Sequence, residues 1–143
     1  MLFWRNSTTK PSTFEPVPTG KCINIFKIGK LWVFKHFFEH TEIFKSLLDY
    51  YNQNQYRFEF KSIGARNSAL KILERNEFDY YLIEDLSGYV VKQPKFSKYA
   101  PILKNSIATK ETATERLFLM KDLASVEEAA GLGAKIAEEK VTF

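Results

Sequence analysis

An α+β fold, built as a two-layer sandwich with helices mainly on one face of a mixed or antiparallel sheet, is predicted by three observations. The first is a change of hydrophobic period along the chain, from two residues in stretches such as "YRFEFKSI" (56–63) to helical spacing in "GARNSALKILERNEF" (64–78). The second is composition: 13 Phe, 7 Tyr and 2 Trp demand a core built largely from rings, which suits sheets. The third is the placing of short turn signals between β-rich runs, such as Gly29-Lys30 and Asp85 with Ser87-Gly88. At 143 residues, the chain is long enough for one sizeable core.

The elements follow in order. Residues 1–20 mix Ser, Thr and Pro without periodicity and read as a flexible or strapping arm, with Leu2, Phe3 and Trp4 as its docking cluster. Residues 21–143 read as a single α+β domain. Two β-rich runs, "KCINIFKI" and "LWVFKHF", flank Gly29-Lys30 and predict a hairpin. Thr41 is the expected N-cap of a helix whose apolar face is Ile43, Phe44, Leu47, Leu48 and Tyr51, ending at "NQNQ" (52–55). A half-buried strand carries Phe58 and Phe60 inwards and Arg57, Glu59 and Lys61 outwards. A second helix turns Ala65, Ala69, Ile72 and Leu73 to the core, and "DYYLIED-LSG-YVVKQ" predicts a second hairpin. Residues 93–114 read as loop, "RLFLMK" as a last strand, and Ser125 with Glu128 as a capping box opening a last helix interrupted by Gly131 and Gly133. The order is about ββαβαββ-βα, which is ferredoxin-like or related.

Charge and cysteine content narrow the function classes. A net charge of +4 leans mildly towards anionic partners. The single Cys22 excludes an internal disulfide and any multi-cysteine metal site. No apolar stretch approaches the length of a membrane span, so no membrane partner is expected, and the opening "MLFWRNSTTKPS" has no signal-peptide core. A cytoplasmic location is the expectation.

"HFFEH" (36–40) holds both histidines of the chain. Over these five residues the sequence resembles the signature of the inverted zinc metallopeptidases, H-x-x-E-H. The resemblance implies His36 and His40 as zinc ligands and Glu39 as the base that activates the bound water, with Glu111 or Glu115 as a distant third ligand. That chemistry needs both imidazoles on one helical face. The β-rich run up to Phe38 and the cap at Thr41 instead put the helix start after the motif, and those peptidases use far larger chains to enclose a substrate. The preferred reading is two partly exposed histidines at a strand–helix junction.

Gly64, Arg66, Asn67 and Ser68 stand where a strand gives way to a helix, a place where backbone N–H groups and an arginine fork can face an anion. Neither glycine-rich nucleotide-binding pattern is present, and a tight turn capped by Asn67 or Ser68 is the structural alternative. Arg57 and Lys61, with Lys27 and Lys35, are expected outside an aromatic sheet, the arrangement that holds single-stranded nucleic acid. The ribonucleoprotein-domain signature is absent. No catalytic residue is singled out: no nucleophile elbow occurs, Cys22 lies on the first strand, and Glu84 and Asp85 are adjacent with opposed side chains. These readings converge on a small non-enzymatic binding or adaptor module, without a cofactor, whose partner is a nucleic acid, another anion or a protein. A homodimer through a sheet edge or the last helix is a further candidate. The alternatives are a small zinc-dependent hydrolase built on HFFEH and a protein-interaction module working through the N-terminal arm.

Overall fold

The computed structural model describes residues 22–143, and the arm expected over 1–20, with its Leu2–Trp4 cluster, lies outside the described residues. The described chain has mixed helices and strands and divides into two compact units, 22–84 and 85–143, each with its own sheet.

In the first unit, β1 (Cys22–Ile28) and β2 (Leu31–Phe34) form the expected hairpin. Gly29 takes φ +59° at its turn, a conformation that costs a residue with a Cβ. Next come α1 (Thr41–Ser46), a 3-10 turn (Leu48–Tyr50), β3 (Tyr51–Asn52), β4 (Arg57–Phe60), α2 (Ile63–Arg75) and β5 (Asp79–Ile83). The strands lie in the order β3-β4-β2-β1-β5. β4 runs antiparallel to β2, β2 antiparallel to β1, and β5 parallel to β1. Strands β1, β4 and β5 therefore point the same way, and α2 carries the chain from β4 across to β5.

Period two along the strands puts Ile23, Ile25, Trp32, Phe34, Phe58, Phe60, Tyr80 and Leu82 in one core with Ala69, Leu70 and Leu73 of α2. The core is aromatic at its centre: Phe34 stacks on Phe58 at 4.7 Å and on Phe60 at 5.9 Å, and Phe38 meets Phe34 and Phe58 edge-on. Burying each such ring stabilises the unit by roughly 1.5–3 kcal/mol. On the other face of the central strands, Phe26, Val33 and Ile83 are buried as well. Lys35, expected to point outwards, is only 9% exposed.

The expected single helix from Thr41 to Tyr51 stops at Ser46. Tyr51 instead pairs with Phe58 across the β3–β4 hairpin and packs its ring on Phe44 and Phe58. Strand pairing and ring contacts override the helical spacing of the apolar residues.

In the second unit, β6 (Val90–Pro94), α3 (Ala100–Leu103), β7 (Ser106–Glu111), β8 (Glu115–Met120), α4 (Leu123–Gly131) and β9 (Lys135–Ile136) follow. The sheet order is β7-β8-β6-β9, antiparallel throughout. Val91, Phe118, Met120, Ile102, Val126 and Ala129 form its core. Two expectations are corrected here. β5 and β6 do not pair as a hairpin, because each finds its partners in a different sheet. Residues 93–114 are not a loop: Pro101 lies in the first turn of the short α3, where a missing N–H costs nothing, and Ser106, Ile107 and Ala108 are buried on β7. The strands thus make two sheets, and the ferredoxin-like order is not the one observed.

Helix ends explain two further differences. Asp122, not Ser125, caps α4, its carboxylate accepting the Ser125 N–H at 2.7 Å. Ser62, not Asn67 or Ser68, caps α2, accepting the Ala65 N–H at 3.1 Å. Both helices close with the same pair of reverse bonds: Phe78 N–H to Leu73 O with Glu77 N–H to Glu74 O, and Ala134 N–H to Ala129 O with Gly133 N–H to Ala130 O. The left-handed residue is Gly133 (φ +102°) in one and Glu77 (φ +65°) in the other.

Candidate functional site

The register of the first unit gathers cations at one end of its sheet. Lys27, near the carboxyl end of β1, stands directly across from Trp32, and Trp32 stands across from Phe60. Lys30 sits in the β1–β2 turn, Lys61 follows the last residue of β4, and Arg66 lies one turn into α2. This is the end at which β1, β4 and β5 terminate and α2 begins, the position where open sheets with parallel strands take their ligands. Trp32 anchors it. Its side chain is 6% exposed, with the Arg66 guanidinium 4.8 Å and the Lys27 ammonium 5.9 Å from the ring centroid. Such contacts contribute about 0.5–1 kcal/mol each at accessible positions, and they hold the cations in place.

The six residues singled out from the sequence fall into three groups. Arg57 is half-buried, and its Nε donates to Glu59 Oε2 at 2.7 Å. The Asn52 side-chain amide donates to the same oxygen at 3.0 Å. Arg57 is thus engaged inside the β3–β4 hairpin, not turned to solvent as expected. The alternation itself holds, with Phe58 and Phe60 buried, but Glu59, two residues on and on the same face as Arg57, supplies a partner charge that draws Arg57 in from solvent.

Lys61 is exposed and lines a shallow hollow of about 520 Å³ with Asp49, Tyr50, Asn54 and Glu59. Gly64, Arg66, Asn67 and Ser68 lie in the first turns of α2. A Cβ at Gly64 would meet only Ser62 Oγ, at 3.9 Å, so no close approach requires glycine there. The Ser68 hydroxyl donates back to Gly64 O at 3.1 Å.

Arg66 and Asn67 do come together. The guanidinium donates to Asn67 Oδ1 through Nε at 3.2 Å and Nη2 at 3.0 Å. Both line a second hollow, of about 370 Å³, between α2 and β5, whose other walls include Leu70, Lys71, Glu74 and Tyr80. The Tyr80 hydroxyl donates to Glu74 Oε2 at 3.1 Å, which orients the one carboxylate of this hollow. Lys71 was not singled out from the sequence. Its signal was its position four residues after Asn67, on the same face of α2.

The HFFEH segment does not lie on one helix. Lys35–Phe38 are neither helix nor strand, and α1 begins at Thr41 with His40 as its N-cap. His36 is packed among rings, 4.8 Å from Phe38 and 5.3 Å from Phe78, while Glu39 and His40 are exposed. The i, i+4 face that the zinc motif requires is therefore not formed. Among the described residues, no group of three or more His, Cys, Asp or Glu side chains is arranged to hold a metal ion.

Electrostatics in the second unit are local. Arg116 binds Glu111 through Nε at 2.9 Å and Nη2 at 2.6 Å, and its guanidinium stacks 4.0 Å from the Tyr99 ring centroid. The Arg116 hydrogen bonds hold the Glu111 carboxyl below the usual carboxylate range. The Ser87 hydroxyl and N–H do the same for Asp85, at 2.7 and 3.0 Å. Glu84 and Asp85, read from the sequence as strand residues, both follow the end of β5.

No protein-family model, curated protein or solved structure matches this chain.

Proposed function

We propose that this chain is a small, non-enzymatic, cytoplasmic binding module for an anionic ligand, with single-stranded nucleic acid as the ligand class. Residues 21–143 act as the module, and residues 1–20 are its arm. The observation that carries this reading is the gathering of Lys27, Lys30, Lys61 and Arg66 at the end of the first sheet, with Lys27 and Arg66 against Trp32. A guanidinium already held over a ring loses little further freedom on meeting a phosphate, and its planar fork suits phosphate oxygens. Asn67 and Lys71 extend the polar lining along α2. Arg57 contributes through Glu59 and Asn52, by fixing the hairpin from which Lys61 emerges.

Among the described residues, no helix is long and apolar enough to cross a membrane.

Filter binding of a labelled oligodeoxythymidylate at roughly 50 and 200 mM salt tests the reading. Four engaged cations predict a slope of log affinity against log salt of about −3, from roughly −0.7 per phosphate neutralised on a single strand. Arg66→Ala and Lys27→Ala should each reduce that slope. Affinity independent of salt, or no binding at either concentration, overturns the proposal.

A further inference from the structure

Phe96 is 96% exposed, the most exposed of the large hydrophobic side chains among the described residues. It stands in a turn that is firmly built. Ser97 N–H bonds to Pro94 O at 3.0 Å and closes the turn, while Lys95 N–H bonds to Thr114 O at 3.0 Å and ties it to the β7–β8 connection. Behind it the buried Gln93 donates through Nε2 to Lys98 O at 3.2 Å, and the N–H groups of Ile102 and Leu103 bond to Tyr99 O. The ring is therefore held out by a braced backbone, and it contributes nothing to the core of its unit.

Its surroundings are cationic. Lys95 precedes it and Lys98 follows two residues later, and Lys95 reaches Glu111 only at 3.7 Å, at a site where both side chains are substantially exposed. A pair of that kind is worth little and leaves the ammonium able to exchange partners. Tyr99 is 37% exposed and fixed by Arg116 at 4.0 Å from its ring centroid. An exposed ring beside two lysines, with a second ring clamped three residues on, is the chemistry that stacks a base and holds the flanking phosphates.

We infer that the Pro94–Tyr99 turn is a second nucleic-acid contact, in which Phe96 stacks on an unpaired base while Lys95 and Lys98 meet the adjacent phosphates. The inference rests on the nucleic-acid reading above but uses residues of the other compact unit. A bilayer fits the turn less well. Ser97 and the two lysines border the ring, so insertion would bury one side chain, whereas both faces of the ring are open for stacking.

The test is fluorescence anisotropy of labelled oligodeoxythymidylate with the full chain and its Phe96→Ala, Phe96→Tyr, Lys98→Ala and Arg66→Ala variants. Phe96→Ala should weaken binding about tenfold with an unchanged salt slope, because the ring carries no charge. Phe96→Tyr should restore affinity, and Lys98→Ala should lower the slope. With 96% of Phe96 exposed, both Phe96 variants fold as the parent does. Unchanged affinity in Phe96→Ala together with weakened binding in Arg66→Ala overturns this inference and leaves the first reading standing. No binding by the parent chain overturns both. If Phe96→Ala instead abolishes binding to phosphatidylserine–phosphatidylcholine vesicles and leaves oligonucleotide affinity intact, the turn is a lipid contact and the inference fails.

Discussion

The Arg66 guanidinium lies 4.8 Å from the centre of the Trp32 ring, so a helix cation and a strand aromatic meet where the helix begins. The contact ties α2 to β2, two elements that are not neighbours in sequence. A double-mutant cycle of Arg66→Ala and Trp32→Leu, followed by urea denaturation, should give a coupling of about 0.5–1 kcal/mol. Arg66→Ala should also weaken oligonucleotide binding. A coupling near zero would mean that the two groups are merely adjacent.

Glu77 occupies, with φ +65°, the left-handed position that Gly133 fills at the end of α4. A side chain there costs about 1–2 kcal/mol relative to glycine in local backbone energy. Part of that gain is offset by the greater freedom of glycine in the unfolded chain. Glu77→Gly should therefore stabilise the protein by about 0.5–1 kcal/mol, read as a rise in thermal midpoint. Gly133→Ala should destabilise it by a similar amount or more, since φ +102° suits no residue with a Cβ.

Asp122 caps α4, and Asp122→Ala should cost about 1 kcal/mol at neutral pH. Burial pushes its carboxyl up, but the Ser125 hydroxyl and N–H and the Lys121 ammonium (2.9 Å) outweigh burial and hold it below its ordinary value. A depressed carboxylate contributes stability in full above its unfolded value of 3.8, and that contribution is lost as pH falls through the lower folded value. The gap between parent and Asp122→Ala should therefore be constant near neutrality and close only in acid below that point. Chemical denaturation across a pH series reads it directly, and a gap that closes already near pH 6 contradicts the assignment.

The two histidines should behave unequally. His36 contacts Phe38 and Phe78, so His36→Ala removes ring packing and should cost about 1 kcal/mol, whereas the exposed His40 can be changed to Ala within about 0.5 kcal/mol. Zinc should leave the thermal midpoint of the parent unmoved. A rise on adding one equivalent, lost in both variants, would restore a metal site to this segment.

Much of the fold was legible in the sequence where one local signal dominated. Gly29-Lys30 between two β-rich runs marked the first hairpin, and the alternation of Phe58 and Phe60 with charges marked β4. The apolar spacing of Ala65, Ala69 and Leu73 marked α2. Signals failed where two were in competition. Leu47, Leu48 and Tyr51 have helical spacing, but Tyr51 gains more from Phe44 and Phe58 across a hairpin than from another helical turn. Ser125 and Glu128 spell a capping box, but Asp122 stands three residues earlier with a carboxylate already aimed at the Ser125 N–H.

The candidate site divides in the same way. Arg57 looked solvent-facing because strand alternation says which face a side chain takes, not what waits on that face. Glu59 and Asn52 were waiting. The Arg66–Trp32 contact carried no sequence signal, since no sequence rule brings Arg66 across from a helix 34 residues later.

By itself, then, the sequence determined the α+β character, the aromatic core, the first hairpin, β4, α2 and the start of a helix at Thr41. These depend on the period and turn chemistry of neighbouring residues, which act within a few positions along the chain. Only the tertiary structure decided that the strands close into two sheets, that β5 pairs with β1 and not with β6, and that Lys27 and Arg66 share Trp32. Each of these depends on which distant partner a segment meets. Many pairings satisfy the same local pattern, and burial of the whole core selects among them.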